Sequence, residues 1–432
     1  MTPFAIGLAG IGLMLVMLFL RQPVWLGLAV IGVGGNLLLN GLMASKFVAG
    51  TTMFDVATNY NLSVIPLFVL MGEIATGSRM SAELFNAARV LLSGLRGGLG
   101  AATLAASGAF GAICGSSVAT AATMTRIAMP EMSAAGYERG YSAATVASGG
   151  SLGILIPPSI ILVIYASITE TSVARLFAAA MIPGIVLLSL YIAVALFIAN
   201  RGNAAPVEVA ATFVDRLKAL KDPWQFVLLF VLTIGGIYTG VFSPTEAASV
   251  GAFGAIALGV LRGSLTLPGL IDAIRASVMV TCALFMIIVG ATLFSNFVVQ
   301  TRLPDNLLAT AEAAGLTTWM VMTLIVAIYI VLGCFLEGIG MVLITVPVFL
   351  PIITSYGYDP IWFGVLVVVL VELGLITPPV GMNLFIIRAQ VRDVPMKTLY
   401  AAILPFLIAP VILIAVLFAL PSLALWLPGV LY

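Results

Sequence analysis

Long apolar stretches, separated by short polar segments, run through almost the whole chain. A helix that crosses a bilayer needs roughly 20 apolar residues, and each half of the sequence offers five stretches of about that length. Those of the first half are Phe4–Leu20, Val24–Met43, Leu62–Gly77, Tyr141–Ile168 and Val173–Ala199. Those of the second half are Trp224–Phe242, Thr245–Leu261, Ala276–Val299, Ile361–Arg388 and Lys397–Leu420. The pattern predicts an all-α polytopic protein that lies in a lipid bilayer.

Two of these stretches carry the same interruption. One contains Ser151–Ser159, with Pro157 and Pro158 in its middle, and the other contains Glu372–Val380, with Pro378 and Pro379. A proline pair removes two N–H donors and disfavours helix at the residue before it. Irregular backbone at membrane depth is tolerated only where it is buried in protein or lines a cavity. We therefore predict broken helices over 141–168 and 361–388, which in transporters mark the binding site.

Each half also contains two half-length apolar segments that are joined by a polar tip. The first pair covers 99–132, with its tip at Cys114–Ser117, and the second covers 320–354, with its tip at Glu337–Gly340. Two short helices that meet at such a tip are typical of a re-entrant hairpin. An amphipathic segment precedes each hairpin, over Ser81–Leu95 and Leu303–Gly315.

The second half repeats the first at a constant offset of 221 positions. Residues matched at this offset are Pro23 and Pro244, Gly94 and Gly315, Pro130 and Pro351, Gly153 and Gly374, and both members of the proline pairs. Each half crosses the membrane five times, because the hairpin returns to the side from which it enters. After an odd number of crossings the second half has the opposite orientation in the membrane. We predict inverted repeats over 1–199 and 224–432, joined by a cytoplasmic linker over 200–223 that holds an interfacial helix at Val209–Leu220.

The distribution of basic residues gives the orientation. With the N-terminus outside, all but three of the 18 lysines and arginines fall on the cytoplasmic side, the exceptions being Lys46, Arg175 and Arg302. Short cytoplasmic loops are enriched in Lys and Arg. We therefore predict that both termini are periplasmic, that the first hairpin enters from the cytoplasm, and that the second enters from outside.

The composition excludes several classes of protein and of catalytic or metal site. The 432 residues are 62% hydrophobic and 8% charged, against about 25% charged in an ordinary soluble domain, and the net charge of +1 gives no reason to expect nucleic acid. The sequence has no histidine, which excludes His-ligated metals and Ser-His triads. Its three cysteines, Cys114, Cys282 and Cys334, suggest neither a disulfide framework nor a zinc site. No lysine lies in the interior of a predicted membrane span, so no lysine there can act as the base for a serine nucleophile. An intramembrane enzyme is therefore not expected.

The tips and breaks have the chemistry of a sodium site. Broken helices offer free carbonyls at one half-helix end, and serine and threonine hydroxyls add neutral oxygen ligands for a hard monovalent cation. We expect Na⁺ and no transition metal. The predicted ligands, by side chain or backbone, are Gly115, Ser116, Ser117, Ser151, Gly153, Pro157, Gly338, Gly340, Thr377, Pro378 and Gly381. The alternative is that these small residues only let helices approach closely.

The same region is expected to bind the substrate, through residues Ser117, Thr120, Arg126, Pro158 and Asn383. Arg126 can pair with a substrate carboxylate, but it can equally extend to the cytoplasmic face or pair with Glu131 or Glu138. The intramembrane acids are Glu73, Glu337 and Glu372. Of these, Glu337 and Glu372 are candidates for neighbours of the cation site or for proton carriers.

The motifs at these sites resemble those of one transporter family. Gly115–Thr120, Gly153–Ser159 and Gly374–Gly381 are similar to the tips and breaks of the large membrane subunit of tripartite ATP-independent periplasmic (TRAP) transporters. The resemblance covers the whole chain. The sequence has one departure, at the second tip, which contains Glu337 and not a second Gly-Ser-Ser. The two cation sites therefore need not be equivalent.

The resemblance implies sodium-driven uptake of an organic acid across the bacterial inner membrane. In that family a soluble periplasmic protein delivers the acid, a small four-helix membrane subunit assists, and hairpins and broken helices move together as an elevator. No cofactor is implied beyond Na⁺ as the coupling ion. Because the chain begins directly with the first helix of the repeat, the small subunit is expected to be a separate chain.

Two other transport functions stay open from the sequence. A stand-alone Na⁺- or H⁺-coupled carboxylate carrier of related architecture needs no binding protein. A passive channel is disfavoured because hairpins that meet at mid-membrane favour occlusion over an open pore.

Overall fold

The computed structural model describes residues 2–20, 22–201, 205–206 and 209–432. Throughout these residues the regular secondary structure is helical, which confirms the predicted all-α class. The helices of the first half are α1 (Pro3–Phe19), α2 (Val24–Thr58), α3 (Val64–Gly77), α4 (Met80–Leu91), α5 (Gly98–Cys114), α6 (Ser117–Ala134), α7 (Arg139–Ser151), α8 (Ile160–Thr169) and α9 (Val173–Arg201).

The second half is also helical. Its helices are α10 (Phe213–Ala219), α11 (Trp224–Phe230), α12 (Gly236–Tyr238), α13 (Pro244–Leu261), α14 (Leu267–Gln300), α15 (Leu303–Ala313), α16 (Thr318–Gly333), α17 (Gly338–Ser355), α18 (Pro360–Ile376), α19 (Met382–Gln390), α20 (Met396–Ile403), α21 (Ile408–Ala419) and α22 (Ser422–Leu431). Helices α1, α6 and α7 begin 221 positions before α11, α17 and α18, respectively.

Length and composition identify the helices that can cross a membrane. Among the described residues, seven are long and apolar enough, or eight if the bent pair Phe213–Ala219 and Trp224–Tyr238 is one span. The two predicted broken stretches do not enter this count, because each is divided into shorter helices. The chain is therefore a multi-pass membrane protein.

Three predicted boundaries are wrong. The helix from Val24 does not end at Met43 but turns at Gly41 (φ +79°) and continues to Thr58. The helix predicted over Ala276–Val299 begins nine residues earlier, at Leu267. The predicted stretch Lys397–Leu420, by contrast, matches the candidate membrane span Met396–Ala419, which contains a 3₁₀ turn at Leu404–Leu407.

The third boundary concerns the predicted linker helix Val209–Leu220. The helix begins only at Phe213, because Thr212 accepts a hydrogen bond from the N–H of Asp215 (3.2 Å) and so fixes the first turn. Within the predicted linker, Gly202–Ala204 and Val207–Glu208 lie outside the described residues.

Close backbone packing joins α2 to α14. A Cβ atom at Gly32 would lie 2.5 Å from the carbonyl carbon of Leu293 and 2.7 Å from the amide nitrogen of Phe294. These contacts involve main-chain atoms, which cannot move aside without separating the two helices. Small residues at helix crossings allow this close approach in membranes.

Replacement of Gly32 is expected to separate this crossing. We expect Gly32→Ala to lower the stability of the solubilised protein by about 1–3 kcal/mol, the usual cost of overpacking. Gly34→Ala, at a glycine of α2 with no atom within 4 Å of the added Cβ, is the matched control and is expected to be neutral. Thermal unfolding of both variants in one detergent measures the difference, and equal midpoints would refute the packing argument.

Candidate functional site

The first broken helix is interrupted in a fully buried region. Helix α7 ends at Ser151, a short 3₁₀ turn covers Leu152–Ile154, and α8 begins at Ile160. The peptide bond between Pro157 and Pro158 is cis. Ser159 caps α8, since its hydroxyl accepts from the N–H of Leu162 (3.3 Å) and donates to the carbonyl of Ile154 (2.5 Å). One serine thus satisfies groups on both sides of the break.

The second broken helix has the same design with different caps. Helix α18 ends at Ile376, and the hydroxyl of Thr377 donates to the carbonyl of Leu373 (2.5 Å). The bond between Pro378 and Pro379 is also cis. Gly381 takes a left-handed conformation (φ +59°) immediately before α19, a conformation that glycine adopts without a steric penalty.

The first hairpin tip contacts the first break. Gly115 is left-handed (φ +63°), and a Cβ atom on it would lie 2.8 Å from the carbonyl oxygen of Pro158. The carbonyl of Gly115 accepts from the N–H of Ile160 (3.5 Å). Ser116 caps α6 by accepting from the N–H of Ala119 (3.4 Å). The tip therefore lies against the backbone of the break at the start of α8.

The second tip contacts both broken helices. A Cβ atom at Gly338 would lie 2.6 Å from Cγ1 of Val371 on α18 and 3.4 Å from Cδ1 of Ile161 on α8. The neighbouring Gly340 faces the other way, with its Cβ position 3.0 Å from Cγ1 of Val24 on α2.

Each hairpin also approaches a broken helix through paired glycines. A Cβ atom at Gly111 of α5 would lie 2.5 Å from Cα of Gly153, and one at Gly374 of α18 would lie 2.7 Å from Cα of Gly333 at the end of α16. These two contacts join the first arm of each hairpin to the break that it faces. Larger residues at these positions would separate hairpin and break.

Both tips and both broken helices meet around one small space, which we call the central cavity. Its volume is about 60 Å³, several times the ~10–15 Å³ that one water molecule needs in a cavity. It is lined by Gly115, Ser116, Ser117, Val118, Ile154, Ile160, Ile161, Glu337, Gly338, Ile339, Leu375 and Met382. The predicted convergence of tips and breaks is therefore present, and four predicted residues, Gly115, Ser116, Ser117 and Gly338, line it.

The lining combines hydroxyls, backbone groups and one carboxyl group, that of Glu337, with apolar walls. Oxygen donors of this kind suit a hard monovalent cation. Among the described residues, no group of three or more His, Cys, Asp or Glu side chains could hold a metal ion. The apolar walls, Ile154, Ile160, Ile161 and Met382, were not predicted, because an apolar residue in a membrane helix gives no signal that distinguishes lining from packing.

Several other predicted residues lie just outside this lining. Thr120 donates to the carbonyl of Ser116 (2.7 Å), and a Cβ atom on Gly153 would lie 2.6 Å from its hydroxyl oxygen. Ser151 instead faces α9, where its hydroxyl donates to Ser148 (2.9 Å) and lies 3.3 Å from the hydroxyl of Tyr191. The five remaining predicted cation ligands, also outside the lining, are Pro157, Gly340, Thr377, Pro378 and Gly381.

The predicted substrate residues are separated in the structure. Asn383 is fully buried, and its amide donates to the carbonyl of Ala147 on α7 (3.4 Å), while its Oδ1 atom has no hydrogen-bond partner among the described residues. It therefore links the second broken helix to the first. Pro158 is buried against Gly115, and Arg126 is exposed, on α6 beyond the central cavity.

Comparison with known proteins identifies the family. The sequence profile described as tripartite ATP-independent periplasmic transporter, DctM component, matches residues 11–423. The C4-dicarboxylate TRAP transporter large permease protein of Pseudomonas aeruginosa is 36% identical over 379 residues, which are 87% of this chain and 88% of that protein. The sialic acid TRAP transporter large permease protein of Vibrio cholerae is 31% identical over 413 residues, 95% of this chain and 96% of that protein.

Among solved structures, the YdaH transporter of Alcanivorax borkumensis has a TM-score of 0.60 at 17% identity, over 90% of this chain and 89% of that one. This likeness concerns the fold alone. The relatives named above are permeases and not enzymes, which confirms the prediction that the chain has no enzymatic function. The chain belongs to the DctM family, the large membrane subunits of tripartite ATP-independent periplasmic transporters.

Proposed function

We propose that this chain carries out sodium-coupled uptake of an organic acid that a periplasmic binding protein delivers. The observation that carries the proposal is the central cavity, where both tips and both broken helices meet. Relatives named for C4-dicarboxylates and for sialic acid support a carboxylate as the substrate class. The small four-helix membrane subunit is the proposed second partner, and the bacterial inner membrane, with both termini periplasmic, is the proposed location.

The two halves are proposed to be inverted repeats. The shared starting offset of α1, α6 and α7 supports the repeat, and the distribution of basic residues supports the inversion. In this arrangement the hairpins and broken helices form a moving unit around substrate and ions. The remaining helices, with α4 and α15 as braces, form the scaffold against which that unit slides as an elevator.

Each part of the central cavity has a separate task in this mechanism. The hydroxyls of Ser116 and Ser117, with nearby backbone carbonyls, bind Na⁺ at the first tip, and Glu337 supplies the negative charge at the second. The bound cations then compensate the negative charge of an incoming carboxylate. Without them, the cavity would disfavour binding of the carboxylate. The two tips exclude water while the unit moves.

The energetics favour more than one Na⁺ for each substrate. Moving one charge across ~100 mV is worth about 2.3 kcal/mol, so two Na⁺ with a monoanion give about a 50-fold gradient from voltage alone. We expect uptake of a monoanion to accelerate when vesicles are made negative inside with a potassium diffusion potential. Uptake at a rate independent of voltage would refute a stoichiometry of two or more.

Reconstitution tests the proposed function as a whole. The chain and its small partner are placed in proteoliposomes, and labelled dicarboxylates, keto acids and sugar acids are offered with or without the binding protein and an inward Na⁺ gradient. We expect uptake only when both are present. Saturable uptake without the binding protein would instead establish the stand-alone carrier.

A further inference from the structure

A second polar cavity lies along the distal half of α6, and Arg126, which lines it, is about 13 Å along the helix from Ser117 at 1.5 Å per residue. Its volume is about 310 Å³. The lining residues that matter here are Arg126, Ser133, Arg139, Gln390, Arg392 and Asp393. We call it the arginine pocket. It shares no lining residue with the central cavity.

The acids expected to neutralise Arg126 have other partners. Glu131 pairs with Arg89 of α4 (3.2 Å). Glu138 caps α7, where its carboxylate accepts from the N–H groups of Gly140 (2.8 Å) and Tyr141 (2.7 Å). Among the ion pairs of the described residues, neither acid is paired with Arg126.

The charges around the pocket are not balanced. Asp393 pairs with Arg139, and within the described residues neither Arg126 nor Arg392 forms an ion pair. The hydrogen bond from Arg126 to the hydroxyl of Thr123 is long, at 3.5 Å. Three guanidinium groups therefore surround one space with a single carboxylate. A guanidinium presents a planar fork of donors that matches carboxylate and phosphate oxygens.

Arg126 also connects this pocket to another cavity. It lines a space of about 620 Å³ between α3, α4, α6 and α14, together with Glu73, Arg79 and Asp272. In the proposed orientation this larger space is the cytoplasmic vestibule beside the first hairpin. Arg126 therefore borders both spaces, so an anion in the vestibule lies next to the arginine pocket.

We propose that the arginine pocket is a second anion site, which binds the carboxylate substrate on the cytoplasmic side after release from the central cavity. This role rests on the proposed function, because the orientation and the substrate class come from it. The site needs no Na⁺, since its own guanidinium groups supply the positive charge. The phosphate of a lipid headgroup has the same recognition chemistry, so the experiment separates the two sources.

Thermal unfolding of the purified full chain in neutral-lipid nanodiscs tests the site, with succinate as the probe. The buffer contains choline and no Na⁺, and ionic strength is matched with choline chloride. We expect succinate to raise the unfolding midpoint of the wild type. The double variant Arg126→Gln/Arg392→Gln is expected to need succinate at about tenfold or higher concentration for the same shift, the effect of losing charged hydrogen bonds.

Two controls keep this result specific. The double variant Arg175→Gln/Arg302→Gln removes two exposed guanidinium groups elsewhere and is expected to respond like the wild type. Arg126→Lys/Arg392→Lys keeps the charges without the planar forks and is expected to respond between the two. Adding Na⁺ to the Arg126→Gln/Arg392→Gln protein and measuring the unfolding midpoint reports Na⁺ binding in the central cavity separately. A failure of sodium binding is thus distinguished from a failure of the arginine pocket.

Two results would overturn the proposal. Equal succinate responses in the wild type and in Arg126→Gln/Arg392→Gln would show that the pocket binds no dicarboxylate. Loss of the wild-type response in nanodiscs with phosphatidylglycerol, at matched ionic strength, would assign the pocket to a lipid headgroup instead of the released substrate.

Discussion

Gly111→Ala is expected to reduce uptake by about 100-fold or more, although it adds one methyl group. The new Cβ would lie 2.5 Å from Cα and 3.1 Å from N of Gly153, both main-chain atoms of the first break. Helix α5 must then move away from the break by about 1 Å, and a displacement of that size at a reacting or binding centre costs on the order of 100-fold. The first tip, which lies at the end of α5, moves with it. Gly374→Ala is expected to act in the same way through Gly333.

The control for Gly111→Ala is a helical glycine at which an added Cβ atom contacts no other atom. Gly12 of α1 has no atom within 4 Å of its Cβ position, so Gly12→Ala is the control and is expected to transport normally. Uptake is compared at equal amounts of reconstituted protein, and thermal unfolding measures the accompanying destabilisation, expected at about 1–3 kcal/mol. Wild-type uptake by Gly111→Ala would show that contact between α5 and the break does not shape the site.

The second large effect is expected at Glu337, the charged residue of the central-cavity lining. Glu337→Gln keeps the shape of the side chain and removes its negative charge. If a cation binds beside this carboxylate, the loss raises the Na⁺ concentration for half-maximal uptake about tenfold or more, since bonds to charged groups contribute on the order of 1.5–3 kcal/mol. The concentration dependence on the organic acid should change less.

An acid remote from the cavity provides the control for charge alone. Glu312 of α15 is exposed, so Glu312→Gln is expected to leave Na⁺ activation unchanged. Uptake is measured over a Na⁺ titration with choline as the replacement cation. An unaltered Na⁺ curve for Glu337→Gln would remove this residue from the cation site and leave the first tip as the better candidate.

Much of the site follows from local chemistry. The proline pairs predict both breaks, because no helix continues through them, and the glycine and serine residues at 115–117 predict the first tip. In the structure the turn between α5 and α6 falls at Gly115 and Ser116. These features depend on a few neighbouring residues, so the sequence is sufficient to predict them.

Other features depend on contacts between distant residues. Asn383 donates to Ala147, 236 positions away, and no periodicity indicates that pairing. In the sequence, Glu131 and Glu138 are near enough to pair with Arg126. Only the fold shows that Glu131 pairs with Arg89 and that Glu138 accepts hydrogen bonds at the start of α7. The helical extension after Gly41 was missed because Lys46 and Asp55 reduce its apolar character.

Accessibility of the central cavity from the two faces of the membrane tests the proposed elevator movement. Val118 lines the cavity and is exposed, so Val118→Cys is introduced into a chain with Cys114, Cys282 and Cys334 replaced. A membrane-impermeant thiol reagent is then applied to either face of oriented proteoliposomes. We expect labelling from each face in turn during transport, with protection only when Na⁺ and the carboxylate are both present. Labelling from one face alone, unaffected by Na⁺ and substrate, would contradict this movement.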